Sequence, residues 1–69
     1  MVKNRLRERR TGRGMSQVEV AAALGVSRQT VIAIETGRYS PSLPLAFRIA
    51  RLFGSTVDDM FDASEEVRK

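Results

Sequence analysis

The segment SRQTVIAIETG, residues 27–37, is the most informative part of the sequence. Val31 and Ile34 lie three residues apart, which predicts a helix with one apolar stripe. The Ser27 hydroxyl can accept a hydrogen bond from a free backbone N–H group of the first turn, and Gly37 can end the helix in the left-handed conformation. The opposite face carries short polar or small side chains and few acids. We expect this outer face to contact DNA bases.

A second helix is predicted directly before this one, over QVEVAAAL at residues 17–24. Ser16 and Glu19 have the spacing of a capping box at its start. Gly25 can adopt the positive φ that a tight turn between the two helices requires. Apolar or small side chains stand where the two helices would meet, at Val20, Ala21, Leu24, Val31 and Ile34. This pattern predicts a helix-turn-helix motif over about residues 17–36, and the alternative is an αα-hairpin without a ligand.

Three further helices are expected in the rest of the chain. Asn4 suits the N-cap of the first, Ser42 that of the second, and Thr56 with Asp59 forms a capping box for the third. Their predicted bounds are about 5–12, 43–53 and 57–61. Because the connections between all five helices are short, the sequence predicts a single all-α domain.

The two ends of the chain are the strand candidates. Residues 1–4 begin with two apolar side chains, and residues 61–69 start at the end of the last predicted helix. The C-terminal segment can extend as a strand, or it can fray. We take residues 1–69 as one domain.

The charge of the chain is uneven. Residues 1–38 hold eight basic and three acidic side chains, whereas residues 39–69 hold four basic and five acidic ones. A basic half beside a near-neutral half is typical of a protein with one side facing a polyanion. The alternative is an ordinary charged surface rich in Arg.

The composition excludes several kinds of site. There is no Cys and no His, so disulfides and the commonest metal ligands are absent, and we expect no metal and no cofactor. The sequence lacks a glycine-rich phosphate loop and a paired-carboxylate site, so we expect no enzyme and infer no small-molecule ligand. No apolar run approaches the roughly 20 residues of a membrane span. The N-terminus lacks the apolar region of a signal peptide, so we expect a cytoplasmic protein with no membrane partner.

The run MSQVEVAAALGVSRQTVIAIETGRYSPSLPLAFRIARLFG, residues 15–54, resembles the Cro/C1-type (XRE-like) helix-turn-helix family. SRQT followed by G-x-Y-x-P-S-L is similar to the small, nearly stand-alone bacterial and archaeal regulators of this family, and the resemblance extends over about residues 4–61. It implies a five-helix, lambda-repressor-like domain that binds double-stranded DNA in the cytoplasm of a prokaryote. It also implies a homodimeric transcriptional regulator, more often a repressor, on a roughly palindromic operator.

The resemblance assigns DNA contacts to ten residues: Ser16, Gln17, Ser27, Arg28, Gln29, Thr30, Ile32, Ala33, Arg38 and Tyr39. Ser16 and Gln17 would meet a phosphate at the start of their helix, where the helix dipole favours negative charge. The helix over residues 28–36 would enter the major groove as the recognition helix. Gln29 is the best candidate for reading a base, because a carboxamide can donate to and accept from adenine at once.

Other members of this set keep two interpretations. Arg28 can bind guanine or a phosphate, while Thr30 and Arg38 resemble residues that contact the DNA backbone. Arg38 is alternatively a solvated loop charge, and Tyr39 either donates its hydroxyl to a phosphate or packs under the loop.

The sequence departs from many relatives at Ile32 and Ala33, where polar side chains are common. Apolar groups there can meet thymine methyl groups but cannot hydrogen-bond to base edges. Partial burial against a neighbouring helix is the alternative for Ile32. This departure leaves the operator sequence open.

Family resemblance also implies two structural roles. Arg10 and Glu35 match positions that pair between the first helix and the recognition helix, and the alternative is two independent surface charges. Val2, Met60 and Phe61 match segments in which the two chain ends form a short antiparallel β pair and an apolar dimer patch. A rival function is an antitoxin-like protein whose main role is to bind a protein partner, although few residues follow the fifth helix.

Overall fold

The computed structural model describes residues 3–62, which form five helices and two short strands. The elements are β1 (Lys3–Asn4), α1 (Leu6–Gly12), α2 (Gln17–Leu24), α3 (Arg28–Glu35), α4 (Leu43–Leu52), α5 (Val57–Met60) and β2 (Phe61–Asp62). Each helix begins and ends within one residue of its predicted bounds. The predicted all-α, five-helix domain is therefore confirmed.

Hydroxyl caps explain why four of the helices begin where they do. The Ser16 and Glu19 side chains form both hydrogen bonds of the predicted capping box on α2. Ser27 accepts from the third amide of α3, and Ser42 and Thr56 do the same for α4 and α5. Each cap satisfies a backbone N–H group that has no partner inside its own helix.

The start of α1 differs from the prediction in one detail. Arg5 is the residue that flanks the helix, and its side chain makes no capping hydrogen bond. Asn4 instead stands one residue further out, where its Oδ1 atom accepts from the Leu6 amide at 3.1 Å. Asn4 thus supports the first turn as expected, but from within strand β1.

The turn between α2 and α3 depends on one glycine. Gly25 has a φ of +74°, and the Val26 amide donates to the Ala21 carbonyl at 3.0 Å. This is the hydrogen bond of a left-handed helix cap. It reverses the chain within three residues, so α3 can pack against α2.

One apolar core lies at the centre of the helices. Its buried members are Leu6, Val20, Ala21, Leu24, Val31, Ile34, Leu45, Ile49, Ala50, Phe53 and Met60. Met60 has no exposed surface, so the prediction that its side chain contributes to a surface dimer patch is wrong for this monomer. Met60 is the last residue of α5, and its side chain packs in the core. The adjacent Phe61 side chain stays half-buried.

The two ends of the described chain pair as an antiparallel sheet. Lys3 stands opposite Asp62, and Asn4 stands opposite Phe61. The Arg5 amide then donates to the Met60 carbonyl at 2.9 Å, which continues the contact into α1. Val2, expected in this sheet, lies outside the described residues. No helix in the described range 3–62 has the length and apolar character needed to cross a membrane.

Candidate nucleic-acid interface

Helix α3 has one completely buried face and one open face. Val31 and Ile34 have no exposed surface, as their spacing predicts. Arg28 and Gln29 are exposed, and Ile32 and Ala33 are partly exposed. The open face therefore begins with the guanidinium of Arg28 and the carboxamide of Gln29, and it continues with the apolar side chains of Ile32 and Ala33.

The hydroxyl groups at the start of α3 are partly used by the helix itself. Ser27 Oγ accepts from the Thr30 amide at 3.1 Å and lies 3.0 Å from Thr30 Oγ1. One hydroxyl hydrogen joins these two oxygens, and the other is free to donate outward. The pair can thus cap the helix and still offer one donor to an anion.

The start of α2 lies beside the start of α3. An open groove of about 510 Å³ is lined by the cap residue Ser16, by Gln17 and Val18 from α2, by Arg28 from α3 and by Arg10 from α1. Glu19 Oε1 accepts from the Ser16 amide at 2.7 Å, so that amide is occupied. The free N–H groups of the first turn are those of Gln17 and Val18. They give this groove two backbone donors next to two guanidinium groups.

Gln17 is held more firmly than the sequence indicates. Its Nε2 atom donates to Glu35 Oε1 at 3.2 Å, and the side chain is half-buried. One of its two amide hydrogens is therefore committed to α3. The carboxamide retains a second hydrogen for an outside acceptor.

Arg10 and Glu35 form the ion pair that was expected between α1 and α3. Arg10 Nε donates to Glu35 Oε2 at 2.6 Å, and Arg10 Nη2 donates to Glu35 Oε1 at 3.3 Å. The side chains are 12% and 4% exposed, so solvent screens the pair weakly. Arg10 Nη1 also donates to the Met15 carbonyl at 3.0 Å. Glu35 points away from the open face of α3 and joins three helices: α1, α2 and α3.

The loop after α3 places Arg38 and Tyr39 on the surface. Their amides donate to the Ala33 carbonyl at 2.9 and 3.2 Å, which folds the loop back against the end of α3. Arg38 is exposed, and the Tyr39 side chain is 47% exposed. Tyr39 is thus not buried under the loop, and its ring is open to a ligand.

Thr36 is a polar residue on the open face that is already satisfied. Its hydroxyl donates to the Ile32 carbonyl at 2.9 Å and lies 3.3 Å from the Ala33 carbonyl. A threonine that bonds back to its own helix has its hydroxyl hydrogen in use. The polar outer face predicted from the sequence is therefore reduced to its N-terminal part.

Two features of the molecular surface were not predicted from the sequence. Val18 is exposed at the start of α2 and lines the groove beside Arg28. Its exposure could have been predicted, because Val18 does not lie on the same helical face as Val20 and Leu24. A separate apolar groove of about 300 Å³ lies on another part of the molecule. Its lining residues are Ser40, Pro41, Leu43, Ala46, Val57 and Phe61.

Comparison with known proteins identifies this arrangement. The chain is 52% identical over 60 residues to an uncharacterised HTH-type transcriptional regulator of Methanocaldococcus jannaschii, covering 87% of this chain and 91% of the relative. It is 32% identical to the transcriptional repressor RstR of the cryptic phage CTXphi in Vibrio cholerae, covering 94% of this chain and 59% of RstR.

A solved structure supports the same assignment. The restriction-modification controller protein C.AhdI of Aeromonas hydrophila matches with a TM-score of 0.73 and 33% identity, over 80% of this chain and 83% of that one. The Helix-turn-helix family model matches residues 6–60. The chain therefore belongs to the Cro/C1-type helix-turn-helix family of DNA-binding transcriptional regulators.

Proposed function

We propose that this protein is a homodimeric repressor that binds a palindromic DNA operator with sequence specificity. Helix α3 is the recognition helix and lies in the major groove. The observation that carries the proposal is the division of α3 into a buried face, held by Val31, Ile34 and Glu35, and an open face that begins with Arg28 and Gln29.

A phosphate of the DNA backbone fits the groove at the start of α2. The free amides of Gln17 and Val18, the helix dipole and the guanidinium of Arg28 all favour an anion there. The Ser27–Thr30 hydroxyl pair offers a further donor. Arg38 and Tyr39 extend this phosphate-contacting set along the loop after α3. These contacts fix the position of α3 but read no sequence.

The residues that contact DNA bases lie in the first and middle turns of α3, on its open face. Gln29 binds adenine through its carboxamide, and Arg28 binds guanine or the adjoining phosphate. Ile32 and Ala33 lack hydrogen-bonding groups, so they contact thymine methyl groups. Val18, exposed at the edge of the same surface, adds a further apolar contact to the DNA.

A second copy of the chain fits the apolar groove between α4, α5 and β2. Leu43 lines this groove and is 63% exposed, and Phe47, one helical turn further along α4, is 52% exposed. A two-fold interface needs a projecting group and a matching recess on the same surface, and this surface has both. Phe61 belongs to the recess. Two recognition helices about 34 Å apart would then match two half-sites one turn apart on a palindrome.

Repression is the direction favoured by similarity, because RstR, which is 32% identical, is named a transcriptional repressor. The rival is a protein whose main role is to bind another protein, and the same apolar groove would serve it. Purification from the source cell separates the two. A stable complex with a different polypeptide that covers Leu43 and Phe47 would favour the rival.

Selection of bound sequences from a random DNA pool tests the proposal. We expect an enriched palindrome with half-site centres 10–10.5 base pairs apart. We also expect the logarithm of the binding constant to fall with the logarithm of salt by about 0.9 per phosphate contacted. No enrichment would contradict sequence-specific binding, and a single non-repeated half-site would contradict the dimer.

A further inference from the structure

Asn4 joins three separate elements through one residue. Its backbone stands opposite Phe61 in the terminal sheet. Its Oδ1 atom accepts from the Leu6 amide at the start of α1, at 3.1 Å, and its Nδ2 atom donates to the Ile34 carbonyl of α3 at 2.7 Å. The second bond spans 30 residues of sequence.

A carboxamide can make both bonds, because it carries an acceptor oxygen and a donor nitrogen. The Leu6 amide needs an acceptor, and the Ile34 carbonyl needs a donor, whereas an ionised carboxylate only accepts. An Ala at this position would make neither bond. The short Asn side chain, rather than Gln, also fits an acceptor two residues along the chain. Asn therefore suits a position between one backbone donor, the Leu6 amide, and one backbone acceptor, the Ile34 carbonyl.

The carbonyl that Asn4 binds belongs to the last turn of α3. The Gly37 amide donates to the same Ile34 carbonyl at 3.0 Å, and the Arg38 amide donates to the Ala33 carbonyl at 2.9 Å. Together these bonds close the C-terminal end of the helix. Asn4 thus attaches to the point where α3 ends and the Arg38 loop begins.

The side-chain hydrogen bonds that join α3 to other elements lie near this end, whereas its middle is held by core packing against α2. The Arg10–Glu35 pair holds its final residue, and Asn4 holds the carbonyl one residue before. The helix has eight residues and is about 12 Å long. A tilt of about 5° at the anchored end moves the other end, with Arg28 and Gln29, by about 1 Å. That displacement is enough to spoil a bidentate hydrogen bond.

We propose that Asn4 is a positioning residue for DNA recognition, which links the terminal β1–β2 sheet to the recognition helix and sets the angle of α3. This inference rests on the proposed function of α3. It assigns a role in specificity to a residue that does not touch DNA. Any change in the sheet, to which Phe61 of the proposed dimer surface belongs, reaches α3 through this side chain.

The variant Asn4→Asp tests this role, because it keeps the acceptor for Leu6 and removes the donor for Ile34. We expect its affinity for the selected operator to fall fivefold to thirtyfold, roughly the effect of one lost hydrogen bond. Affinity for random DNA and the salt dependence should change less than about twofold, since the phosphate contacts remain. Binding is measured at a temperature where circular dichroism shows each chain to be folded.

Thr56→Ala is the matched control. It removes a side-chain cap at the start of α5, where Thr56 Oγ1 accepts from the Asp59 amide at 3.1 Å. We expect its melting temperature to fall by several degrees with operator affinity unchanged. Equal losses of operator and random-DNA binding in Asn4→Asp, or native operator binding, would overturn the proposal.

Hydrogen exchange tests the same link without DNA. Asn4→Asp should speed exchange of the Gly37 and Arg38 amides by about tenfold or more, whereas Thr56→Ala should leave them unchanged. Native protection at both amides in Asn4→Asp would overturn the link. If the unmodified chain selects no DNA sequence, the proposed function fails, and the exchange result still decides whether Asn4 holds α3.

Discussion

Glu35 illustrates how a single side chain sets the position of α3. It receives two hydrogen bonds from Arg10 and one from Gln17, and it is almost completely buried. A buried carboxylate is stable only when its partners compensate for lost hydration. The residue therefore acts as a junction between α1, α2 and α3, and it contributes nothing to the open face.

Replacement of Glu35 by Ala leaves the guanidinium of Arg10 without its partner. We expect the free energy of unfolding to fall by about 3 kcal/mol or more and operator affinity to fall with it. Denaturant melts and binding titrations measure the two quantities. Glu8→Ala, which removes an exposed acid from α1, is the control and should change stability by less than about 0.5 kcal/mol. Lost binding with unchanged melting would reject the structural role of Glu35.

At the scale of the elements, the glycine between α2 and α3 has a purely conformational role. A Cβ atom on Gly25 would lie 3.9 Å from Arg48 Nη1, which is an ordinary contact, so the cost of a side chain is the positive φ alone.

Gly25→Ala should therefore lower the free energy of unfolding by about 1–2 kcal/mol. Gly12→Ala is the matched control, because Gly12 lies in α1 with open space around it. There the change should be neutral or stabilising by up to about 1 kcal/mol. In thermal melts only Gly25→Ala should lower the melting temperature, and equal losses in the two variants would refute the conformational argument.

The contact between α1 and α5 depends on Asp59. A hydrogen bond from Ser55 Oγ at 2.6 Å, and then the charges of Arg9 and Arg5, hold the pKa of the Asp59 carboxyl below its ordinary value of 3.8. A lowered pKa means that the ionised form is favoured in the folded state. Its stabilisation is present above the ordinary pKa and is lost as the pH falls through the folded value.

Denaturant unfolding midpoints measured between pH 6 and pH 2 test whether ionised Asp59 stabilises the fold. The native chain should lose stability below about pH 4, and Asp59→Asn should lose less over the same interval. The effect is small because the side chain is partly exposed. An identical profile in Asp59→Asn would contradict the assignment.

Helix positions were predictable because local chemistry determines them. Ser16, Ser27, Ser42 and Thr56 each cap a helix through an amide three residues away, and such contacts are visible in the sequence. The bond from Asn4 to Ile34 was not predictable, because it joins residues far apart whose approach depends on the packing of α1 and α3.

Burial shows the same limit at the scale of the whole molecule. Met60 and Phe61 are adjacent apolar residues, and nothing local indicates that Met60 fills the core while Phe61 borders a surface groove. Gln17 likewise looked like a free phosphate contact until packing brought it to Glu35. The contacts between α3 and DNA stay a prediction.

At the scale of the whole molecule, we predict that the chain forms a dimer through the surface that carries Phe47. Phe47→Glu places a charge on the proposed dimer surface, so we expect it to convert a dimer at micromolar concentration into a monomer and to weaken operator binding. Sedimentation velocity measures the change. Ala23→Glu, at an exposed position of α2, should remain dimeric. A native chain that is monomeric at this concentration, or a Phe47→Glu variant that stays dimeric, would remove the proposed interface.

The most direct test of α3 as the base-reading helix compares the sequences selected from one random DNA pool by the native chain and by Gln29→Ala. We predict that both chains enrich a palindrome and that the variant loses preference at one base pair in each half-site, with discrimination there reduced by about 1–3 kcal/mol. Preferences at the other positions should persist, because Arg28, Ile32 and Ala33 are unchanged. Identical base preferences at every position of the two selected sites would contradict the account.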